Sequence, residues 1–339
     1  MNKILLEKLT NPIKLSYKFY LILICALVLV TLTASIGFGV AELGHKAVWQ
    51  CITQSCERSI YDTILWEIRF PRVLLGFIAG FGLALAGALM QNVTRNPLAD
   101  PYLFGIVSGA GLGATLTQFL PISMQVISLP LASFLGSLLA VGIILIVLYQ
   151  NNWRRIEHLL LAGVAVSFLL SSLTTFILYS GDAFSSNRVI FWLMGSLARA
   201  DATALMIITP VVVIAAFTAL LMGRQLDALL LSDESAKTLG VKVERIRIIT
   251  LILCAAITAV IVSYCGGISF IGLMIPHIVR PFVGITSSKL FIAVGLVGGC
   301  FLVWVDVIAR SALGGQEIPI GVITSAMGSL FFLALLRKM

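Results

Sequence analysis

Charge is what this chain has least of: of 339 residues, 11% are Asp, Glu, Lys or Arg, while 59% are hydrophobic. Soluble domains carry roughly a quarter charged residues, so an ordinary globular fold is excluded. Catalytic signatures are missing as well. No G-x-x-x-x-G-K-[ST] phosphate loop occurs, so the chain does not hydrolyse ATP by itself. No H-E-x-x-H occurs, and His45, His158 and His277 stand far apart in sequence, which leaves no metal-ligand set and disfavours metalloprotease chemistry. "GIVSGAG" around Ser108 misses the nucleophile-elbow spacing and falls in an apolar stretch, so an intramembrane enzyme has no nucleophile and base to rest on. Acidic residues are nearly absent from the apolar stretches. Asp306 is the exception, and Arg310 follows it one helical turn later, so an ion pair near the membrane boundary explains it better than a proton or sodium relay.

What fills the chain instead is grease in segments long enough to cross a bilayer. Ten spans are predicted, at 19–40, 73–91, 102–120, 126–149, 159–179, 203–223, 247–265, 267–284, 290–310 and 318–336. The first is of spanning length without a small-residue cleavage pattern and reads as a retained anchor. Lys and Arg concentrate in the N-terminal segment, the C-terminal end and the loops holding Arg95, Arg154, Arg224 to Arg247, Arg280 and Lys289. Only Lys46, Arg58, Arg69, Arg72, Arg188, Arg199 and Arg310 fall on the other side, which puts both termini in the cytoplasm by the positive-inside rule. The net charge of +8 is therefore topology and no sign of nucleic-acid binding.

Within the spans, Gly76 with Gly80, Gly105 with Gly109, Gly109 with Gly113, and Gly295 with Gly299 form small-x-x-x-small pairs that suit close helix packing. Pro276 breaks the eighth span and Pro281 ends it, with Arg280 capping that end. Cys51 and Cys56 lie in the external segment 41–70, where an oxidising compartment would allow a disulfide; two free thiols are the alternative.

Two polar segments stand out. The insert at 224–247 predicts a short capped helix, with Ser232 as N-cap, Asp233 and Glu234 in the first turn and Gly240 as the stop. Asp233 and Lys237 stand at i, i+4, and Leu229, Leu230, Leu231, Ala236 and Leu239 give it an apolar side, either for a lipid interface or for a docking partner. The other is "TRNPLADPYLFG", where Pro97 and Pro101 forbid helix continuation and make a turn between the second and third spans.

The runs "RFPRVLLGFIAGFGLALAGALMQNVTRNPLADPYLFGIVSGAGLGA", "HLLLAGVAV", "FWLMGSLARAD", "GGISFIGLMIPHIVRPFVG" and "QEIPIGVITSAMGSLFFLALLRK", in this order, resemble the permease subunits of bacterial ATP-binding-cassette (ABC) importers for iron-siderophores, haem and cobalamin. The resemblance spans almost the whole chain. It implies an all-α membrane protein of about ten helices, the type II importer permease fold, with 1–339 as one permease domain in the bacterial inner membrane. It also implies a second permease, a copy or a paralogue, two cytoplasmic ATPase subunits that hold the ATP and Mg²⁺, and a periplasmic substrate-binding protein. The stretch 226–243 matches the family's coupling helices, which dock on the ATPase through Leu231, Ser232, Asp233, Glu234, Ala236, Leu239 and Gly240; Ser232 stands where relatives commonly have Gly. Arg69, Arg72 and Arg310 match positions that receive acidic side chains from the binding protein, with boundary snorkelling of Arg72 and an Arg310–Asp306 pair as alternatives. Asn96, Pro97 and Leu98 match the gate that closes the pathway from the cytosol. His277, in a motif shared by importers of unlike cargo, is expected to be structural. The expected activity is ATP-driven import of a bulky iron chelate, a ferric siderophore first, with haem or cobalamin as alternatives. An ion-coupled carrier working without an ATPase is the rival.

Overall fold

The computed structural model describes residues 17–39, 45–53, 59–150 and 156–337. Seven helical stretches among them are long and apolar enough to cross a membrane: Tyr17–Ser35, Ile60–Thr94, Ser128–Val147, Leu160–Ser180, Ala202–Leu221, Val243–Cys265 and Ser287–Ser311. They correspond to the first, second, fourth, fifth, sixth, seventh and ninth predicted spans. The other three are short helices: Ile106–Leu116, Ile271–Val283 and Ile320–Leu336. Eleven residues of helix rise only about 16 Å, and the third predicted span is completed by single 3₁₀ turns on both sides, Pro101–Phe104 and Thr117–Phe119. The eighth is short, as its prolines require, but Pro281 sits inside it and the helix runs on to Val283.

The helices are numbered along the chain: α1 Tyr17–Ser35, α2 His45–Thr53, α3 Ser59–Thr63, α4 Phe70–Thr94, α5 Ile106–Leu116, α6 Ile122–Gln150, α7 Ile156–Ser180, α8 Ala183–Leu193, α9 Ala202–Leu221, α10 Gly223–Leu231, α11 Asp233–Thr238, α12 Val243–Cys265, α13 Ile271–Val283, α14 Ser287–Ser311 and α15 Ile320–Leu336. Part of the segment taken as external is helical and continuous with the second span, because α3 passes through a π-helical turn, Ile64–Arg69, straight into α4. Cys51 is buried on α2 and is not among the free cysteines Cys25, Cys254, Cys265 and Cys300; Cys56 lies outside the described residues.

α4 is the axis of the subunit and is buried over most of its length. Lipid offers no hydrophobic drive between helices, so contact depends on backbones coming close. On α4 the glycines do this. A side chain at Gly80 would collide with the Gly298 carbonyl and the Leu302 Cβ of α14, and one at Gly87 with the backbone of Gly272 on α13. Gly109 of α5 meets Gly136 of α6 in the same way, while Gly295 and Gly299 seat the rings of Phe81 and Phe77. Gly80→Val is therefore expected to cost about 3 kcal/mol or more through overpacking. A lowered thermal midpoint of the detergent-solubilised protein would report it. The outer helices are apolar in the opposite direction: α1 exposes Ile22, Leu23, Leu29 and Val30, and α7 exposes Leu161, Phe168 and Phe176. An exposed apolar surface of this extent suits hydrocarbon or a partner subunit.

Candidate functional site

Where α8 ends at Leu193, α12 ends at Cys265 and α15 begins at Ile320, the chain satisfies the freed backbone with itself. Gly267 N–H donates to the Leu193 carbonyl and Ser196 N–H to that of Cys265, while Ile320 and Gly321 donate to Gly195 and Met194. Irregular backbone in a membrane protein is tolerated where protein or a cavity surrounds it, and here it borders a recess. Tyr102, Val107, Leu193, Met194, Gly267, Ser269, Gly321, Val322 and Ser325 line an open recess of about 580 Å³. Its polar groups are few. The Ser269 and Ser325 hydroxyls are 2.7 Å apart, and Tyr102 accepts from the Ile268 N–H and donates to the Ile268 carbonyl.

One end of the subunit carries the insert. Ser232 caps α11 by accepting from the Ser235 N–H at 2.9 Å, with Asp233 and Glu234 in the first turn. Gly240, at φ +80°, closes it: the Val241 N–H reaches back to the Ala236 carbonyl and the Gly240 N–H to that of Lys237. Ser232 has φ −168°, an extended conformation any residue adopts, so the departure from glycine there costs nothing. Ala236 is fully buried and seats α11 on the subunit, whereas Leu231 and Leu239 are 70% and 65% exposed. The expected Asp233–Lys237 pair is not what forms. The Asp233 carboxylate accepts from Arg247 Nη2 at 3.0 and 3.1 Å and from the Arg95 guanidinium. α10 is fastened through Asp227, which accepts from the Ser287 N–H at the start of α14.

The "TRNPLADPYLFG" turn follows α4 at this same end. Arg95 terminates the helix in the left-handed region at φ +50°. Asn96 Oδ1 accepts from the Leu98 N–H and the Asn96 carbonyl from Ala99, which pushes Pro97 and Leu98 outward; Leu98 is 59% exposed. Asp100 then caps the 3₁₀ turn through the Tyr102 N–H. Burial pushes its carboxyl up to about 6, and that hydrogen bond partly offsets the shift. Arg280 does not cap α13: it donates to Gln91 Oε1 at 3.0 Å, and Gln91 Nε2 donates to the Gly272 carbonyl. His277 meets Phe331 edge-on at 5.7 Å.

At the opposite end the three arginines picked out as docking positions turn inward. Arg69, Arg72 and Arg310 are 4%, 6% and 5% exposed. Arg72 grips Asp306 through Nε and Nη2 and Glu317 through Nη1 and Nη2, at 2.7 to 3.1 Å. Arg310 lies 3.5 Å from Asp306 and donates to the Ser35 carbonyl, and Arg69 donates to the carbonyls of Ile36 and Gly37. A guanidinium in low dielectric must be compensated: Arg72 and Arg310 share Asp306, and Arg69 is held by backbone carbonyls. The Arg310–Asp306 alternative read from the sequence is part of this network. The hydrogen bond from Arg72 holds the half-exposed Glu317 carboxyl below the usual glutamate range, so that pairing stabilises the fold at neutral pH and fades as acid protonates Glu317. Glu317, Tyr102, Ser269 and Ser325 were not singled out from sequence; a glutamate preceding a proline-led helix start, "QEIPIG", was the available signal for the first.

Set against known proteins, the profile of the FecCD transport family matches residues 27–338. The hemin transport permease HmuU of Yersinia pestis is 34% identical over 96% of this chain and 96% of its own. The cobalamin import permease BtuC of Halobacterium salinarum is 39% identical over 81% of this chain and 74% of its own length, and the molybdate import permease MolB of Haemophilus influenzae is 30% identical over 96% and 97%. A metal-chelate type ABC transporter solved in an inward-facing conformation superposes with a TM-score of 0.82 at 29% identity, covering 96% of this chain and all of the other. Multi-span architecture, sequence and fold agree: the chain belongs to the FecCD transport family, as an ABC-importer permease subunit.

Proposed function

We propose that this subunit carries a bulky iron chelate across the inner membrane, driven by ATP hydrolysis in a separate cytoplasmic ATPase. A ferric siderophore is the first cargo, with haem or cobalamin as alternatives. The observation that carries the reading is an open recess of about 580 Å³ whose wall shares Tyr102 with the turn that exposes Leu98. A space of that volume in one subunit is already the size of an ordinary small-molecule site, and a second subunit facing it across the opening would enlarge it. Apolar walls with two serines and a tyrosine fit a large chelate whose metal is already saturated. They supply little to hold a small oxyanion such as the molybdate named for one relative.

In this reading the end with the insert is cytoplasmic. Leu231 and Leu239 flank the partner contact, with Ser232, Asp233, Glu234, Ala236 and Gly240 shaping the helix between them. Asn96, Pro97 and Leu98, with their counterparts in the second permease, close the floor of the pathway. On the periplasmic side the binding protein docks over the end that holds Arg69, Arg72 and Arg310, whose internal pairs would have to exchange partners before they could meet its acids.

Proteoliposomes holding the subunit with its ATPase and binding protein decide the matter. Uptake of ferric hydroxamate, haem or cobalamin should require ATP inside; uptake driven by an ion gradient without the ATPase would overturn the reading. In the same preparation Leu98→Ala is expected to raise basal ATP hydrolysis or cargo leak about fivefold, the low end of ordinary coupling factors. No change in either would leave the segment as a turn only.

A further inference from the structure

We propose that the Arg95–Asp233–Arg247 cluster is the link that transmits movement of α11 to the gate turn, with Arg95 as a positioning residue for Leu98. The proposal deepens the function proposed above and rests on it.

The observations are independent of one another. Arg95 sits at φ +50°, a conformation that suits glycine or asparagine better than arginine, so nothing in the backbone calls for an arginine there; its side chain does, by reaching Asp233 across 138 positions of sequence. The hydrogen bonds found at Asn96 to Ala99 are internal to the turn. Arg95 is therefore the polar tie that leaves the turn for the insert. Asp233 stands between two cations that belong to different bodies. Arg247 is built into α12, its side chain 7% exposed and its Nη2 on both carboxylate oxygens, while Arg95 is carried by the end of α4 and is a third exposed.

A carboxylate in that position divides its hydrogen bonds between a fixed partner and a movable one. Half-exposed ion pairs are individually weak and screened by salt, so shifting α11 by an ångström or two suffices to redistribute them. That contrasts with Arg72 and Asp306, whose side chains are 8% and 3% exposed and whose pairing is permanent by comparison. When the partner ATPase displaces α11, Asp233 pulls or releases Arg95, and Leu98, three residues on, moves with the turn. Pairing here is thus a switchable contact at the boundary between docking and gating, and no bond is made or broken beyond hydrogen bonds.

The test uses the assembled, reconstituted complex with Leu98→Cys as a reporter, read by a membrane-impermeant maleimide with the labelling of the unsubstituted protein subtracted. With Arg95 intact, ATP should change the labelling rate about fivefold, a modest coupling factor. Arg95→Gln should abolish that ATP dependence while the complex still assembles and hydrolyses ATP, and Arg95→Lys, which keeps the charge, should retain most of it. An undiminished ATP-dependent change in Arg95→Gln overturns the link while leaving the gate in place. Absence of any ATP dependence with Arg95 intact removes the gate reading itself, and the link with it. If Arg95→Gln fails to assemble while Arg95→Lys behaves as the parent, raising the salt concentration on the parent complex replaces it: labelling that keeps its ATP response at high salt overturns the proposal, and loss of the response supports it.

Discussion

Asp306→Asn is expected to destabilise the folded subunit by about 3–5 kcal/mol, the cost of leaving buried charge without its partner. The side chain is 3% exposed and serves two cations: Arg72 at 2.9 Å and Arg310 at 3.5 Å. Arg72 keeps Glu317 when Asp306 is neutralised, but Arg310 is left with the Ser35 carbonyl and no acid. The measurement is the thermal unfolding midpoint in detergent, together with the yield of protein in the membrane. A compensating change separates charge balance from local shape. Adding Arg310→Met to Asp306→Asn removes the stranded cation and keeps an apolar stem of similar length, so most of the lost stability should return, as when a buried ion pair is replaced by apolar residues. A loss of under about 1 kcal/mol in Asp306→Asn alone would mean that water reaches the network and that it is worth no more than a surface pair.

That network also marks the line between what the sequence made legible and what it did not. Apolar run length located the spans, because crossing a bilayer fixes a minimum length and composition, and the prolines explained why α13 is short. Capping chemistry located α11 as well, since Ser232, the acidic pair and Gly240 act within a few residues of one another. Apart from Pro281, which does not end α13, the failures are long-range. Arg72 finds Asp306 234 positions away and Glu317 245 away, and no local pattern announces either. Helical spacing did offer Arg310 as a partner of Asp306, but only packing of α4 against α14 shows that Arg72 takes the same carboxylate and Glu317 as well. Asp233 was matched with Lys237 by helical spacing, yet the exposed lysine loses to two guanidiniums that tertiary packing brings to the same carboxylate. The cavity wall was invisible for a similar reason. Tyr102 comes from the turn at 101–104, Ser269 from the irregular stretch between α12 and α13 and Ser325 from α15, and these meet only in the fold.

The second large effect is expected at Asp233→Lys, which should cut ATP-driven uptake on the order of a hundredfold, near the upper end of ordinary coupling between sites. A lysine there does more than remove an anion. It places a third positive charge against Arg95 and Arg247, and it does so in the first turn of α11, where the helix dipole opposes a cation. The helix should shift away from α12 and from the gate turn together. Glu234→Lys supplies the control. Glu234 is exposed in the same turn, and none of the ion pairs found among the described residues involves it. It carries the same change of charge and the same dipole penalty without touching either arginine. If docking alone matters, the two substitutions should weaken ATPase binding and uptake in proportion. If Asp233 also joins the docking helix to the gate, then Asp233→Lys should lose more uptake than its loss of ATPase binding accounts for, whereas Glu234→Lys should not. Co-purification of the ATPase with each variant, set beside uptake per ATP hydrolysed, separates the two. Equal ratios in both variants would leave α11 as a docking element with no part in opening the gate.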